Sequence, residues 1–150
     1  MTSIFSYGTL MDRDLLSAIL GHDLDSSQLK PAVLENHRAV CIAGASFPAL
    51  VQDNNHNVTG MLITGLNRND LKKIEYYEAG LYVTRDIDVT VTATGDICTA
   101  LCYYEIVAPG FELIDETWSF EGWQRNKKPY LFKVQEVLTS DDLGTRDFPA

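Results

Sequence analysis

The chain has 150 residues and a formal net charge of −9, from 12 Lys and Arg against 21 Asp and Glu. This length predicts a single domain with a sizeable buried core. The acidic balance argues against binding to nucleic acid or to an anionic membrane, because both need clustered basic side chains, and the compact basic cluster of this sequence is confined to residues 125–128.

A strand, a turn and a helix are predicted at the N-terminal end. Residues 3–7 are short and aromatic, as in a strand, and a Gly-Thr pair breaks that strand. Asp12 or Asp14 can cap the helix that follows, and Gly21 ends it. The apolar stripe of this helix consists of Leu15, Leu16, Ile19 and Leu20.

The next segment predicts strands separated by a turn. Residues 31–43 favour a strand because several of their side chains are β-branched. Residues 47–51 are expected to be extended, because a residue before proline is kept out of the helical region. The polar cluster at 53–57 predicts a turn, and residues 58–66 predict the strand after it.

A helix and a hairpin are predicted in the middle of the chain. Asn67 or Asn69 can cap a helix over residues 70–79. Strands over 86–94 and 98–107 enclose a Gly-Asp turn, which is the pattern of a hairpin. One face of the first of these strands carries Ile87, Val89, Val91 and Ala93.

The C-terminal part of the chain is expected to be helical at the start of segment 115–128, and helix or strand over 130–138. Trp118 and Trp123 are expected to be packing anchors rather than parts of a cofactor site.

The order of the elements predicts the fold class. Strands outnumber helices and follow one another through short turns, which favours antiparallel pairing. We therefore expect an α+β domain over residues 1–138, with a small, mostly antiparallel β-barrel-like sheet and a few packed helices. Residues 139–150 are polar and acidic and are expected to form a flexible tail.

The cysteine and histidine content argues against a disulfide framework and against a metal site. Cys41, Cys98 and Cys102 are sparse and odd in number, as in proteins of a reducing compartment. Cys98 and Cys102 are expected to be small core residues, and the histidines are scattered, so no metal or other cofactor is expected. The sequence shows neither a signal-peptide pattern nor a membrane-spanning apolar stretch, so we expect a cytoplasmic protein.

Glu78 is the most informative residue for chemistry. On a helix that turns by about 100° per residue, its side chain falls between Leu71 and Ile74, on the face expected to be buried. A carboxylate that faces inward must be paired, hydrogen-bonded or protonated. Desolvation raises its pKa, as a general acid or base near neutral pH requires. The residues alone also allow a structural role, with Glu78 turned to solvent or paired with Arg85.

The segment Tyr7-Gly8-Thr9-Leu10 is the second candidate for a functional site. It lies between a predicted strand and a predicted helix, and Gly8 permits a positive φ and the close approach of a ligand. Successive backbone N–H groups in such a turn can bind an anion. An ordinary strand-to-helix turn is the alternative. The segment lacks the glycines and lysine of a phosphate-binding loop, so nucleotide binding is not expected.

Three segments resemble a known family by their residues, order and spacing. They are Ile4–Leu10, then Phe47–Leu50 followed by Val58–Leu62, then Leu71–Arg85 with its Tyr77-Glu78 pair and Tyr82. A later Tyr103-Tyr104 strand and the segment from Glu116 to Trp123 also fit. Over residues 4–135 the chain resembles the γ-glutamylcyclotransferase-like superfamily, which includes the plant avirulence-induced and the γ-glutamylamine branches. One departure is Ala79, where the family often has glycine, and Gly80 is expected to supply the turn one place later.

The resemblance implies a cofactor-independent γ-glutamyl cyclotransferase of the same fold. Such enzymes convert a γ-glutamyl amide into 5-oxoproline and a free amine or amino acid, through attack of the substrate's own α-amine on its γ-carbonyl. Glu78 is then the implied catalytic residue, first as general base and then as general acid. The loop from Tyr7 to Leu10 is the implied cradle for the glutamyl α-carboxylate, and Tyr82 is expected to close or orient the pocket.

Two other functions stay open on the sequence. One is a catalytically silent module on the same fold, which binds a small ligand or a partner, and the change at Ala79 motivates it. The other is a cysteine-dependent hydrolase, because a Cys–His pair forms only in space. The sequence does not indicate which amine leaves.

Overall fold

Six strands and three α-helices make up the part of the chain that the computed structural model describes, residues 2–78, 80–106, 110–126 and 128. The strands are β1 Thr2–Ser6, β2 Leu29–Ile42, β3 Ala49–Leu66, β4 Tyr82–Val91, β5 Ile97–Ile106 and β6 Leu113–Thr117. The helices are α1 Arg13–Leu20, α2 Arg68–Glu78 and α3 Phe120–Asn126, with short 3-10 turns at Thr9–Met11 and Ser26–Gln28. The predictions for 130–138 and 139–150 lie outside the described residues.

Five of the strands close into a barrel. The sheet runs in the order β3-β1-β5-β4-β2, and β2 pairs with β3 to complete the ring. β6 pairs with the C-terminal end of β2, at Val40 and Ile42, on the edge of β2 opposite β3. All the pairs in the ring are antiparallel except β1–β5, which is parallel. The predicted α+β class, with a mostly antiparallel barrel-like sheet and packed helices, is therefore confirmed.

The two faces of β1 pack into different hydrophobic cores. Ile4 of β1 faces the helices and contacts a cluster that includes Leu15 and Ile74. Its neighbour Phe5 faces the barrel interior, because successive side chains of a strand point to opposite faces. The interior cluster also contains Ala100 and Cys102 on β5. Cys102 is thus the core residue that the sequence predicted, whereas Cys98 is only partly buried against this cluster.

The helix boundaries follow from local chemistry. The Asp12 carboxylate accepts the N–H of the residue three places on at 2.9 Å, and α1 ends at Gly21 with a φ of 79°. The Asn67 side chain accepts an N–H in the same way at 2.8 Å at the start of α2. After α2, Gly80 has a φ of 73°, so this glycine supplies the left-handed turn as predicted.

The prediction that a turn at 53–57 separates two strands is wrong, because the single strand β3 runs through these residues. Glu35 of β2 pairs with Asn57, but two residues later on β2 the partner is already Gln52. The Asp53 carboxylate accepts a backbone N–H two residues on at 3.0 Å, as turn-forming residues do. These residues form a bulge, since the pairing with β2 resumes on the other side of it.

Two smaller predictions are also corrected by the sheet. Residues 115–117 are strand rather than helix, because β6 pairs with β2 through Val40 and Thr117, and α3 begins only at Phe120. Ala93 lies in the exposed hairpin turn and not on the apolar face of β4. The hairpin itself is confirmed, with the Val91 N–H donating to the Asp96 carbonyl at 2.8 Å.

The tryptophans act as packing anchors, as predicted. Trp123 is buried against the helices, and the Trp118 indole N–H donates to the Ser46 carbonyl at 2.9 Å. Among the described residues, no helix has the length and apolar character needed to span a bilayer.

A close approach of β3 to β1 depends on Gly60. A Cβ atom at this position would lie 2.4 Å from the Ser6 carbonyl oxygen and 2.5 Å from Cζ of Phe5. Gly60→Ala is therefore expected to lower the free energy of unfolding by about 1–3 kcal/mol through overpacking, as measured by urea denaturation. Thr59→Ala, at the exposed neighbouring position, is the control and should change it by less than about 1 kcal/mol. Equal values for Gly60→Ala and the wild type would contradict the tight packing.

Candidate functional site

A pocket opens where β1 ends and α2 ends. All the predicted site residues line it, namely Tyr7, Gly8, Thr9, Leu10, Glu78 and Tyr82. Other lining residues are Ile4, Phe5, Ser6, Phe47, Pro48, Tyr77 and Tyr103. The structure therefore brings together two segments that the sequence analysis selected independently.

One side of the pocket is the loop between β1 and α1. The N–H groups of Thr9 and Leu10, at the start of the 3-10 turn, have no acceptor among the described residues. Two neighbouring backbone donors of this kind form a concavity suited to an anion. Gly8 has a φ of −124°, so the positive φ that the sequence allowed is not used. Glycine is favoured at this position because a Cβ atom would lie only 3.2 Å from the Pro48 ring.

The other side of the pocket carries the Glu78 carboxylate, on the last residue of α2. Glu78 is half-buried in the pocket wall, and desolvation of its carboxyl raises its pKa to about 8. Among the described residues, none donates a hydrogen bond to this carboxylate or forms an ion pair with it. The alternative pairing with Arg85 is wrong, because that guanidinium lies 4.8 Å from the centroid of the Tyr104 ring.

Tyrosine side chains form much of the pocket wall. The Tyr82 hydroxyl donates to the Pro48 carbonyl at 3.0 Å, and the Tyr7 hydroxyl donates to the Tyr103 carbonyl at 2.7 Å. The Tyr82 and Tyr103 rings meet edge to face at 6.4 Å. Burial raises the pKa of each of these phenols, so all three stay neutral. The wall is therefore aromatic, uncharged and rigidly tied to the backbone.

The sequence did not indicate several of the lining residues as parts of a functional site. Phe47 and Pro48 were selected only for the family resemblance, and Tyr77 only as the neighbour of Glu78. Tyr103 also fits the family resemblance, as part of a Tyr-Tyr pair, but its place in the pocket follows from the parallel pairing of β5 with β1.

Two of the three cysteines, Cys41 and Cys102, do not support a thiol nucleophile. Cys102 is fully buried, and burial raises its pKa to about 12. Burial also raises the pKa of Cys41. A thiol with a raised pKa is a poor nucleophile, because the thiolate is the reactive form. Within the described ranges there is also no group of three or more His, Cys, Asp or Glu side chains placed to hold a metal ion.

Comparison with protein families gives one match over most of the chain. Residues 4–120 match the family described as gamma-glutamyl cyclotransferase, AIG2-like. The chain is also 25% identical to the AIG2-like protein D of Arabidopsis thaliana over 125 residues, which are 83% of this chain and 80% of that protein.

Solved structures share the fold. A solution structure of an Arabidopsis thaliana protein superposes with a TM-score of 0.65 at 20% identity, covering 93% of this chain and 92% of that one. A structure of a gamma-glutamyl cyclotransferase has a TM-score of 0.55 at 16% identity, covering 92% of this chain and 86% of that one. The shared fold is a mixed five-stranded β-barrel with three helices.

The raised pKa of the half-buried Glu78 carboxyl makes stability depend on pH. Its pKa rises from an ordinary 4.5 to about 8 in the folded chain, so between these values the folded state holds a proton that the unfolded chain has lost. The contribution of Glu78 to the free energy of unfolding therefore falls as pH rises, by about 1.4 kcal/mol per unit, and levels off above pH 8. Urea denaturation from pH 5 to 9 should show this slope in the wild type and not in Glu78→Gln. Identical pH dependence in both proteins would contradict the burial.

Proposed function

The chain belongs to the gamma-glutamyl cyclotransferase, AIG2-like family, as the sequence resemblance predicted, and on this premise we propose that it cyclises a γ-glutamyl amide to 5-oxoproline and a free amine or amino acid. The observation that carries the proposal is the Glu78 carboxyl of raised pKa, in one pocket with the two free N–H groups of the loop. Together these groups match the two ends of a glutamyl head group, a carboxylate and an ammonium.

The loop binds the glutamyl α-carboxylate in this proposal. The N–H groups of Thr9 and Leu10 donate to its oxygens, and hydrogen bonds to an ionised acceptor are stronger than neutral ones. Gly8 leaves the room that a side chain would take against Pro48. This contact holds the substrate so that its α-amine points across the pocket towards Glu78.

The substrate supplies its own nucleophile. The α-nitrogen attacks the γ-carbonyl carbon and forms the new C–N bond of the five-membered ring. The C–N bond to the leaving amine then breaks. Because both reacting groups belong to one molecule, the main task of the pocket is to hold the folded-back conformer, and such positioning can lower the barrier greatly. The tyrosine wall, with Tyr82 fixed on Pro48, restricts the substrate to that conformer.

Glu78 moves the protons that this reaction transfers. Its carboxylate takes a proton from the α-ammonium group, which frees the nitrogen lone pair for attack. The resulting carboxylic acid then gives the proton to the departing nitrogen. The second proton, which the ring nitrogen loses on becoming an amide, passes to the departing nitrogen through the same carboxylate, so the amine leaves as an ammonium ion and the enzyme returns to its starting state. A pKa of about 8 suits both steps, because it lies close to the pKa of an amino acid ammonium group. The reaction written in this way uses no metal or other cofactor.

Removing the carboxylate tests the proposal directly. Glu78→Gln keeps the size of the side chain but cannot accept the proton, so kcat is expected to fall by about 10²–10⁴-fold. The assay follows release of 5-oxoproline from γ-glutamyl amines and γ-glutamyl amino acids. Glu75→Gln, an exposed glutamate one turn earlier on α2, is the matched control and should retain activity.

Two results would contradict this function. Full activity in Glu78→Gln would remove the mechanism. A wild-type protein that is thermally stabilised by 5-oxoproline but turns over no γ-glutamyl substrate would instead be a silent binding module.

The raised pKa of Glu78 also predicts the pH profile. Below pH 8 a growing fraction of Glu78 is protonated and cannot act as base, so kcat/KM should fall about tenfold per pH unit on the acid side. Initial rates measured between pH 5.5 and 9 give this limb. An acid limb centred near the ordinary glutamate pKa of 4.5 would show that the carboxylate is solvated in the working enzyme.

A further inference from the structure

A buried hydrogen bond joins the two halves of the pocket. The Thr9 hydroxyl in the loop and the Tyr77 hydroxyl on α2 lie 2.9 Å apart. Both residues are buried, at 6% and 2% exposure, and both line the pocket. Tyr77 directly precedes Glu78, so this bond connects the helix that carries the carboxyl to the loop that carries the free N–H groups.

The bond leaves one hydroxyl proton free for a ligand. Each hydroxyl has a single proton, and the two oxygens share one hydrogen bond. Burial raises the pKa of Tyr77, so its phenol always retains a proton to donate. Among the described residues, Thr9 is the hydrogen-bond partner of this phenol. When Tyr77 donates to Thr9, the Thr9 proton is free to point into the pocket.

A bound anion favours the arrangement in which the Tyr77 hydroxyl donates to the Thr9 hydroxyl. The Thr9 hydroxyl belongs to the same residue as one of the free N–H groups, so an anion held there attracts its proton. Hydrogen bonds in a chain polarise one another, and donation from Tyr77 strengthens Thr9 as a donor. The opposite direction would aim an oxygen lone pair of Thr9 at a negative charge.

We propose that Tyr77 is a positioning residue that acts through Thr9, donating to the Thr9 hydroxyl so that this hydroxyl donates in turn to the α-carboxylate of the substrate. The inference rests on the proposed function, because it assumes that a glutamyl carboxylate occupies the loop. Its consequence is selectivity, since a ligand that lacks the carboxylate gains nothing from this chain of hydroxyls.

The test compares two ligands that differ only in the carboxylate, 5-oxoproline and 2-pyrrolidinone. Calorimetric titration of Tyr77→Phe should show about tenfold weaker binding of 5-oxoproline, or about 1.4 kcal/mol, with binding of 2-pyrrolidinone unchanged. KM for the γ-glutamyl substrate should rise by about the same factor, with kcat within about twofold. Tyr76→Phe removes a hydroxyl from the exposed neighbour on the same helix and serves as the control.

Variants at Thr9 test the same chain from its other end. Thr9→Val should lose the selective affinity for 5-oxoproline, whereas Thr9→Ser should restore it, because serine keeps the hydroxyl. The double variant Thr9→Val, Tyr77→Phe should bind like Thr9→Val alone, because residues of one network are not additive. These Thr9 variants decide the question even if Tyr77→Phe fails to fold.

Each contrary result has a distinct meaning. Equal loss of affinity for both ligands in Tyr77→Phe, or equal affinities of Thr9→Val and Thr9→Ser for 5-oxoproline, would overturn the role of Tyr77. A selective loss for 5-oxoproline in a protein without turnover would support the role of Tyr77 and overturn the proposed catalysis alone.

Discussion

A half-buried carboxylate at the end of a helix, shielded from much of the solvent, is the constraint on which the site depends. Glu78 is the last residue of α2, and among the described residues no cation or hydrogen-bond donor offsets its burial. Ionising such a group disfavours the folded state, and the raised pKa reflects that penalty. The same penalty is useful chemically, because a carboxyl with a pKa of about 8 can both take and return a proton near neutral pH.

The fold holds α2 in place by contacts remote from this carboxyl. At its start, Asn67 and Asp70 hydrogen-bond each other's backbone N–H groups. The buried Asp70 carboxylate also contacts the His22 ring at 2.7 Å and raises the pKa of that histidine. The Lys73 ammonium donates to the Leu20 carbonyl at the end of α1. Because these anchors lie away from the pocket, the helix is fixed without using the Glu78 oxygens.

The loop is held in a similar way from outside the pocket. Burial alone would raise the pKa of Asp12, but hydrogen bonds from Lys128, Gln124 and the Leu15 N–H together lower it. The Gln124 contact ties the start of α1 to α3 at 2.9 Å. The Thr9 N–H, a few residues earlier, has no acceptor among the residues that the structure describes. Both halves of the pocket thus present free polar groups on a rigid frame, the preorganised arrangement that binding and catalysis require.

Local patterns in the sequence determined the helices and most strands and indicated the side chains with useful chemistry, since helix caps and helix periodicity act over a few residues. Asp12 and Gly21 mark the start and the end of α1 as predicted, and the inward placement of Glu78 followed from the spacing of the apolar residues on α2. The segment 53–57 shows the limit of such patterns, because strand pairing on both sides of it turned an expected turn into a bulge. Tyr103 enters the pocket only because β5 lies parallel to β1. The sequence by itself therefore determined which side chains can do chemistry, whereas closure of the barrel decided which of them share a pocket, since that depends on contacts between distant residues.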